Sequence, residues 1–148
     1  MSDAAPRGRA AVIAALWVTS ALNLLYWISF FTNGAVQSSQ DPVYLGFEAA
    51  FPAADAWLGI TSIVCAEGLR RRRPWGMLFG IAAGSAWVYL GLMDALYSLE
   101  HGMYGHRSAE MLGEIGIEVT CLSFGPFLMW YVWRHRGWFG AYGRVSWH

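Results

Sequence analysis

The side chains with the most chemical potential in this chain are its carboxylates. Of ten, eight (Asp41, Glu48, Asp55, Asp94, Glu100, Glu110, Glu114 and Glu118) fall in segments that read as one end of a helical bundle. Carboxylates gathered in an apolar setting can share a proton, serve as acid and base towards a substrate, neutralise a cation or ligate a metal. Depth separates them. Counting about 20 residues of apolar helix from the arginine boundaries puts Glu48, Asp94 and Glu114 near head-group level, where a carboxylate costs little. Glu110 and Glu114 also occupy the first turns of a helix, where the macrodipole favours negative charge. Asp55 and Glu118 fall roughly 6–8 Å deeper at about 1.5 Å per residue, and an acid there must face the bundle interior or a water-filled cavity.

Helical spacing supports that choice. Glu48, Pro52, Asp55, Gly59 and Ser62 share one face, as do Glu114, Glu118, Cys121 and Gly125. Asp94 shares its face with Trp87 and Gly91, and Thr19, Ser20, Asn23 and Tyr26 lie near one side of the first apolar segment. The expectation is a polar pocket, open to the outer side and lined by Asn23, Tyr26, Glu48, Asp55, Asp94 and Glu118, with Asp55 and Glu118 as the candidate catalytic pair.

Other chemistries are disfavoured by what the sequence lacks. His101 and His106 hang over the expected mouth, but no Glu-x-x-His pair occurs, so no bound metal is expected. The chain has no lysine, which excludes a Schiff-base enzyme, and neither a Ser-His-Asp pattern nor a phosphate-binding loop is present. No cofactor is expected. Cys65 and Cys121 form no Cys-x-x-Cys motif and belong at different depths, so neither a thiol relay nor a disulfide between them is expected.

The elements that must position these residues are four apolar helices at about 10–32, 43–69, 75–99 and 111–133. A chain of 148 residues that is 56% hydrophobic and 16% aromatic, with nine Trp, is too apolar for a soluble domain of this size. It reads as one membrane domain, an all-α integral membrane protein in which each span must be helical to satisfy its own backbone. The run from Ala10 to Phe31 is longer than a signal core and lacks a small-x-small cleavage site, so it reads as a retained helix. Asp41 is placed to cap the second helix and Pro42 to open it, while Arg70 to Arg73 and Pro74 end it. Pro52 and Pro126 predict kinks. Gly76, Gly80 and Gly84, at four-residue spacing, predict close approach of a neighbouring helix.

Arg7, Arg9, Arg70 to Arg73, Arg134, Arg136 and Arg144 fall on one side and Arg107 alone on the other. The positive-inside rule makes the crowded side cytoplasmic and predicts an up-down four-helix transmembrane bundle, N-in and C-in, in a bacterial inner (cytoplasmic) membrane. The four-arginine loop is too short to dock nucleic acid and is accounted for by topology, with contact to anionic lipid head groups as the alternative reading. The aromatic stretch Trp138 to Tyr142 reads as an interfacial anchor. A shared Arg-x-Trp signature at Arg73-Pro74-Trp75 and Arg136-Gly137-Trp138 is too short to establish a repeat.

Three uses of the pocket remain open on sequence alone. It binds a small organic cation or a lipid- or sterol-like amphiphile, with or without acid-base chemistry of an isomerase type; it holds a carboxylate/histidine metal site; or the acids only orient helices in an accessory subunit that assembles with itself or a partner membrane protein. In general design, four helices with intramembrane acids, the chain resembles sterol-isomerase and sigma-2-type membrane domains. That resemblance is of architecture and carries no residue motif or site. Binding is favoured over an accessory role, because two acids at mid-helix depth are a costly way to orient helices.

Overall fold

The computed structural model describes residues 5–37, 39–105 and 108–139. It contains α1 (Arg9–Thr32), α2 (Pro42–Glu48), α3 (Pro52–Arg71), α4 (Trp75–Glu100) and α5 (Ala109–Arg134), with 3-10 turns at Met103–Gly105 and Arg136–Phe139. No strand occurs among the described residues. The stretches Arg9–Thr32, Pro42–Arg71, Trp75–Glu100 and Ala109–Arg134 are each long and apolar enough to cross a membrane. His106, Arg107, Arg144 and the stretch Gly140-Ala141-Tyr142, for which the sequence carried expectations, lie outside the described residues.

The helix ends follow local chemistry. The Asp41 carboxylate accepts from the Val43 N–H at 2.7 Å with Pro42 as the first helical residue, and the Ser108 hydroxyl caps α5 by accepting from the Met111 N–H at 3.1 Å. At the end of α3, Arg72 turns into the left-handed region (φ 55) and donates its N–H to the Gly68 carbonyl. Its guanidinium donates to the Trp138 carbonyl at 3.0 Å and lies 4.4 Å from the centre of that indole. Arg70 and Arg71 both pair with Glu67.

The second span is not one helix over 43–69. Pro52 lacks an N–H and its ring would strike the Glu48 carbonyl one turn back, so the chain breaks rather than kinks. Phe51 N–H takes the Glu48 carbonyl at 2.9 Å in a tighter turn, and α3 starts afresh at Pro52. Pro126 has the opposite outcome, with α5 running through it unbroken. The short α2 is tied over the end of α4 by Phe47 stacked 4.0 Å from Tyr97, with Tyr44 fully buried beside Met103 and Met111.

Cross-contacts run in opposite directions along each neighbouring pair. Trp27 meets Asp55 and Ser20 meets Gly59 between α1 and α3; Cys65 meets Gly80 between α3 and α4; Ser98 meets Glu118 and Gly84 meets Gly125 between α4 and α5. The helices therefore alternate up and down. A Cβ placed on Gly125 would lie 2.7 Å from the Gly84 carbonyl oxygen, and one on Gly84 equally close to that of Gly125, so small residues are what let α4 and α5 meet backbone to backbone. α1 packs along α3, α3 along α4 and α4 along α5, and no comparable packing of α1 on α5 closes the ring.

Two apolar clusters fill the interior, one around Leu16, Cys65, Leu69, Leu128 and Val132, the other around Phe51, Leu58, Trp87, Leu90 and Cys121. Phe139 is fully buried in the first, which corrects the expectation that the stretch from Trp138 onward is a surface anchor throughout. Polar Thr61, Ser62, Ser98, Glu48 and Glu118 are buried, whereas Leu24, Leu78, Leu99 and Leu112 are more than 60% exposed. The described arginines share one end of the bundle, where Arg9 and Arg72 both lie over Trp138 and the Tyr131 hydroxyl donates to the Arg7 carbonyl.

Candidate ligand-binding cavity

At the other end of the bundle, the gap left between α1 and α5 widens into a cavity of about 600 Å³. Its walls bring together Asn23, Tyr26 and Trp27 from α1, Glu48 from α2, Asp55 from α3, Asp94 from α4 and Glu114 from α5. Its apolar floor is Phe51, Leu58, Trp87, Leu90 and Cys121. Leu22 and Leu25 on one rim, and Gly113, Gly116, Ile117 and Thr120 on the other, are exposed and also line it, so the mouth opens on the flank between the first and last helices.

Two hydrogen bonds order the acids. The Trp27 indole N–H donates to Asp55 Oδ2 at 2.9 Å, and the Tyr26 hydroxyl to Glu48 Oε2 at 3.4 Å. Among the described residues no arginine or histidine lines this cavity. Its polar wall thus consists of four carboxylates, one amide, one hydroxyl group on each of Tyr26, Thr19, Ser29 and Thr120, and the indoles of Trp27 and Trp87. Such a wall presents negative charge and aromatic faces, the complement of a cation.

Five of the six residues expected to form the pocket meet there: Asn23, Tyr26, Glu48, Asp55 and Asp94. Glu118 does not line it. Its carboxylate is buried against α4 and the Met103–Gly105 turn, accepting from Ser98 Oγ at 3.1 Å and from the Tyr104 hydroxyl at 2.8 Å. Partial burial, and then that hydrogen bond, push the Tyr104 phenol up to about 12, so it keeps its proton and stays a donor. The reason is rotational. Glu118 shares its helix face with Cys121 and Gly125, and that face packs on Gly91 and Gly84 of α4. Glu114, expected at head-group level, takes the place on the cavity wall instead, beside Gly113, Ile117 and Thr120.

Trp27 was not singled out by sequence, although it follows Asn23 at the four-residue spacing of one helix face. Tyr104 carried no sequence signal, because its loop conformation decides what it reaches. His101 stacks on Tyr97 at 4.0 Å, with Nδ1 3.0 Å from the Tyr97 carbonyl, and is not part of the cavity. Among the described residues no group of three His, Cys, Asp or Glu is arranged to hold a metal ion. Comparison of the chain with protein-family models, with curated proteins and with solved structures finds no match.

Proposed function

We propose that this chain is an integral membrane protein of four transmembrane helices with both termini cytoplasmic, in a bacterial inner membrane, whose outer cavity binds a small organic cation or the cationic head of a lipid- or sterol-like amphiphile. The observation that carries the binding reading is the convergence of Glu48, Asp55, Asp94 and Glu114 on one aromatic-walled space without a cationic side chain. Membrane insertion is supported by four helices long and apolar enough to cross a bilayer and by the large apolar side chains, Leu24, Leu78, Leu99 and Leu112 among them, that they leave exposed on the outside of the bundle. The cytoplasmic placement of the arginine-rich end follows the positive-inside rule.

The flank opening suits a ligand with an apolar part. A head at the level of Asp55 and Asp94 leaves its tail to leave between α1 and α5, past Leu22, Leu25 and Ile117. The reading rests on electrostatic complementarity and requires no proton exchange between Asp55 and Glu118, whose surroundings differ.

A thermal-shift panel in mild detergent tests it, since a ligand bound only by the folded chain raises apparent stability by about 2.7 kcal/mol at a hundred times its Kd. Alkyl trimethylammonium compounds should raise the melting temperature, neutral amphiphiles of equal tail length should do so less, and Asp55→Asn with Asp94→Asn should abolish the difference. If no cationic compound shifts the wild type and the amide variants melt at or above it, the acids only orient helices and the accessory-subunit reading replaces this one.

A further inference from the structure

The same unclosed seam between α1 and α5 has a second cleft at the arginine-rich end, of about 570 Å³. Its α1 side is made mostly of small residues, Gly8, Ala11 and Ala15 with Val12, and its α5 side of bulky ones, Phe124, Phe127 and Tyr131. The small residues would let a helix come close, but the rings opposite hold α5 away and leave an apolar slot. At its outer lip stand Arg7, Arg134 and His135, and no acidic residue lines it. Arg134 lies 5.5 Å from the centre of the Trp130 ring, which keeps its guanidinium on the lip, and the Tyr131 hydroxyl ties the two helices by donating to the Arg7 carbonyl at 3.3 Å.

The dimensions fit one kind of occupant. From Arg134 down to Phe124 is ten residues of α5, about 15 Å at 1.5 Å per residue, which is half of a bilayer core about 30 Å thick. The cleft therefore combines cationic groups at head-group level with an apolar trough one leaflet deep. We infer that it is a binding site for an anionic phospholipid of the cytoplasmic leaflet, the phosphate held by Arg7 and Arg134 and one acyl chain lying along Ala11, Ala15, Phe124 and Phe127. Two guanidinium groups at the lip supply charge-assisted hydrogen bonds to phosphate oxygens, and the trough buries the chain that a free phosphate lacks. The four-arginine loop is a weaker candidate for this role, because Arg70 and Arg71 already pair with Glu67 and Arg72 is engaged by Trp138. The inference shares with the proposed function only the membrane; it does not involve the carboxylate cavity or its ligand.

The test uses the full chain in neutral detergent, titrated with phosphatidylglycerol, with phosphatidylcholine of the same acyl chains, and with glycerol phosphate, read by melting temperature and by native mass spectrometry. Phosphatidylglycerol should give a saturable upward shift and a one-to-one adduct, and the other two probes neither. Arg7→Gln and Arg134→Gln should each weaken its binding roughly tenfold or more, while Arg73→Gln, which removes the same charge from the hairpin, should leave it unchanged. Ala15→Phe, which fills the trough without touching charge, should also block it. Equal shifts with phosphatidylcholine or with glycerol phosphate would overturn the assignment, as would loss of binding in Arg73→Gln equal to that in Arg134→Gln. If a charge variant fails to fold, Ala15→Phe decides alone: undiminished adduct formation by that variant also overturns it.

Discussion

The indole of Trp27 donates a hydrogen bond to Asp55 at 2.9 Å, and both groups are partly buried. Trp27→Phe keeps most of the ring packing against Tyr26, Phe30 and Phe31 but removes that donor. A hydrogen bond to a charged group contributes about 1.5–3 kcal/mol. Because the cavity admits water that can partly replace the donor, the lower end applies, about 1.5 kcal/mol. Asp55→Leu leaves the indole N–H without its acceptor, at a cost of about 1–3 kcal/mol offset in part by no longer burying a carboxylate. With both changes neither orphan remains, so the double variant should be more stable than the sum of the single losses by at least about 1 kcal/mol. Unfolding of the purified chain from mixed micelles by increasing dodecyl sulfate, followed by near-UV circular dichroism, measures all three. A coupling within about 0.5 kcal/mol of zero would refute the claim that Trp27 holds Asp55 on the cavity wall.

Gly125→Ala places a methyl 2.7 Å from the Gly84 carbonyl oxygen and should destabilise by about 1–3 kcal/mol, whereas Gly59→Ala, with open space around its Cβ, should be neutral or stabilising by up to about 1 kcal/mol; the same unfolding assay compares them. Tyr104 has its folded pKa raised from 10.0 to about 12 beside Glu118 and Ser98, so its contribution to stability is complete below pH 10 and is lost as pH rises through 12. Tyr104→Phe should remove that part of the alkaline loss, as read from the difference between the two melting profiles from pH 9 to 12. Reporters placed after Gly8, in the loop 70–73 and after His148 should read cytoplasmic, and those near Gln40 and Gly105 external; an external C-terminus would overturn the topology. Elemental analysis of the purified chain should find less than stoichiometric iron, zinc or manganese, and about one equivalent would show that the histidines had been underrated.

What could be read in advance was whatever depends on period and on end chemistry. The Asp41-Pro42 start and the arginine stop gave the limits of the second span within two residues, and helical spacing with antiparallel order was enough to bring Asn23, Tyr26, Glu48, Asp55 and Asp94 to one place. What could not be read was rotation about a helix axis and the fate of a proline. Glu114 and Glu118 are one turn apart, and depth alone favoured Glu118; the choice between them was made by Gly125 and Cys121 packing on α4, which turns Glu118 towards Ser98 and leaves Glu114 on the cavity wall. Pro52 and Pro126 are chemically identical, yet one breaks its span and the other does not, because the outcome depends on whether the surrounding chain re-satisfies the freed backbone groups. At Pro52 a three-residue turn does so and carries Glu48 onto the cavity wall.

On the proposed function, the carboxylates of Glu48, Asp55, Asp94 and Glu114 together bind a cationic head. Native mass spectrometry of the chain released from mild detergent, with an alkyl trimethylammonium compound and a neutral amphiphile of the same tail in competition, tests it most directly. A one-to-one adduct is expected with the cationic compound, one that the neutral compound does not displace and that disappears in the Asp55→Asn, Asp94→Asn double variant. Equal adducts with both compounds, or an adduct undiminished in that variant, would contradict it.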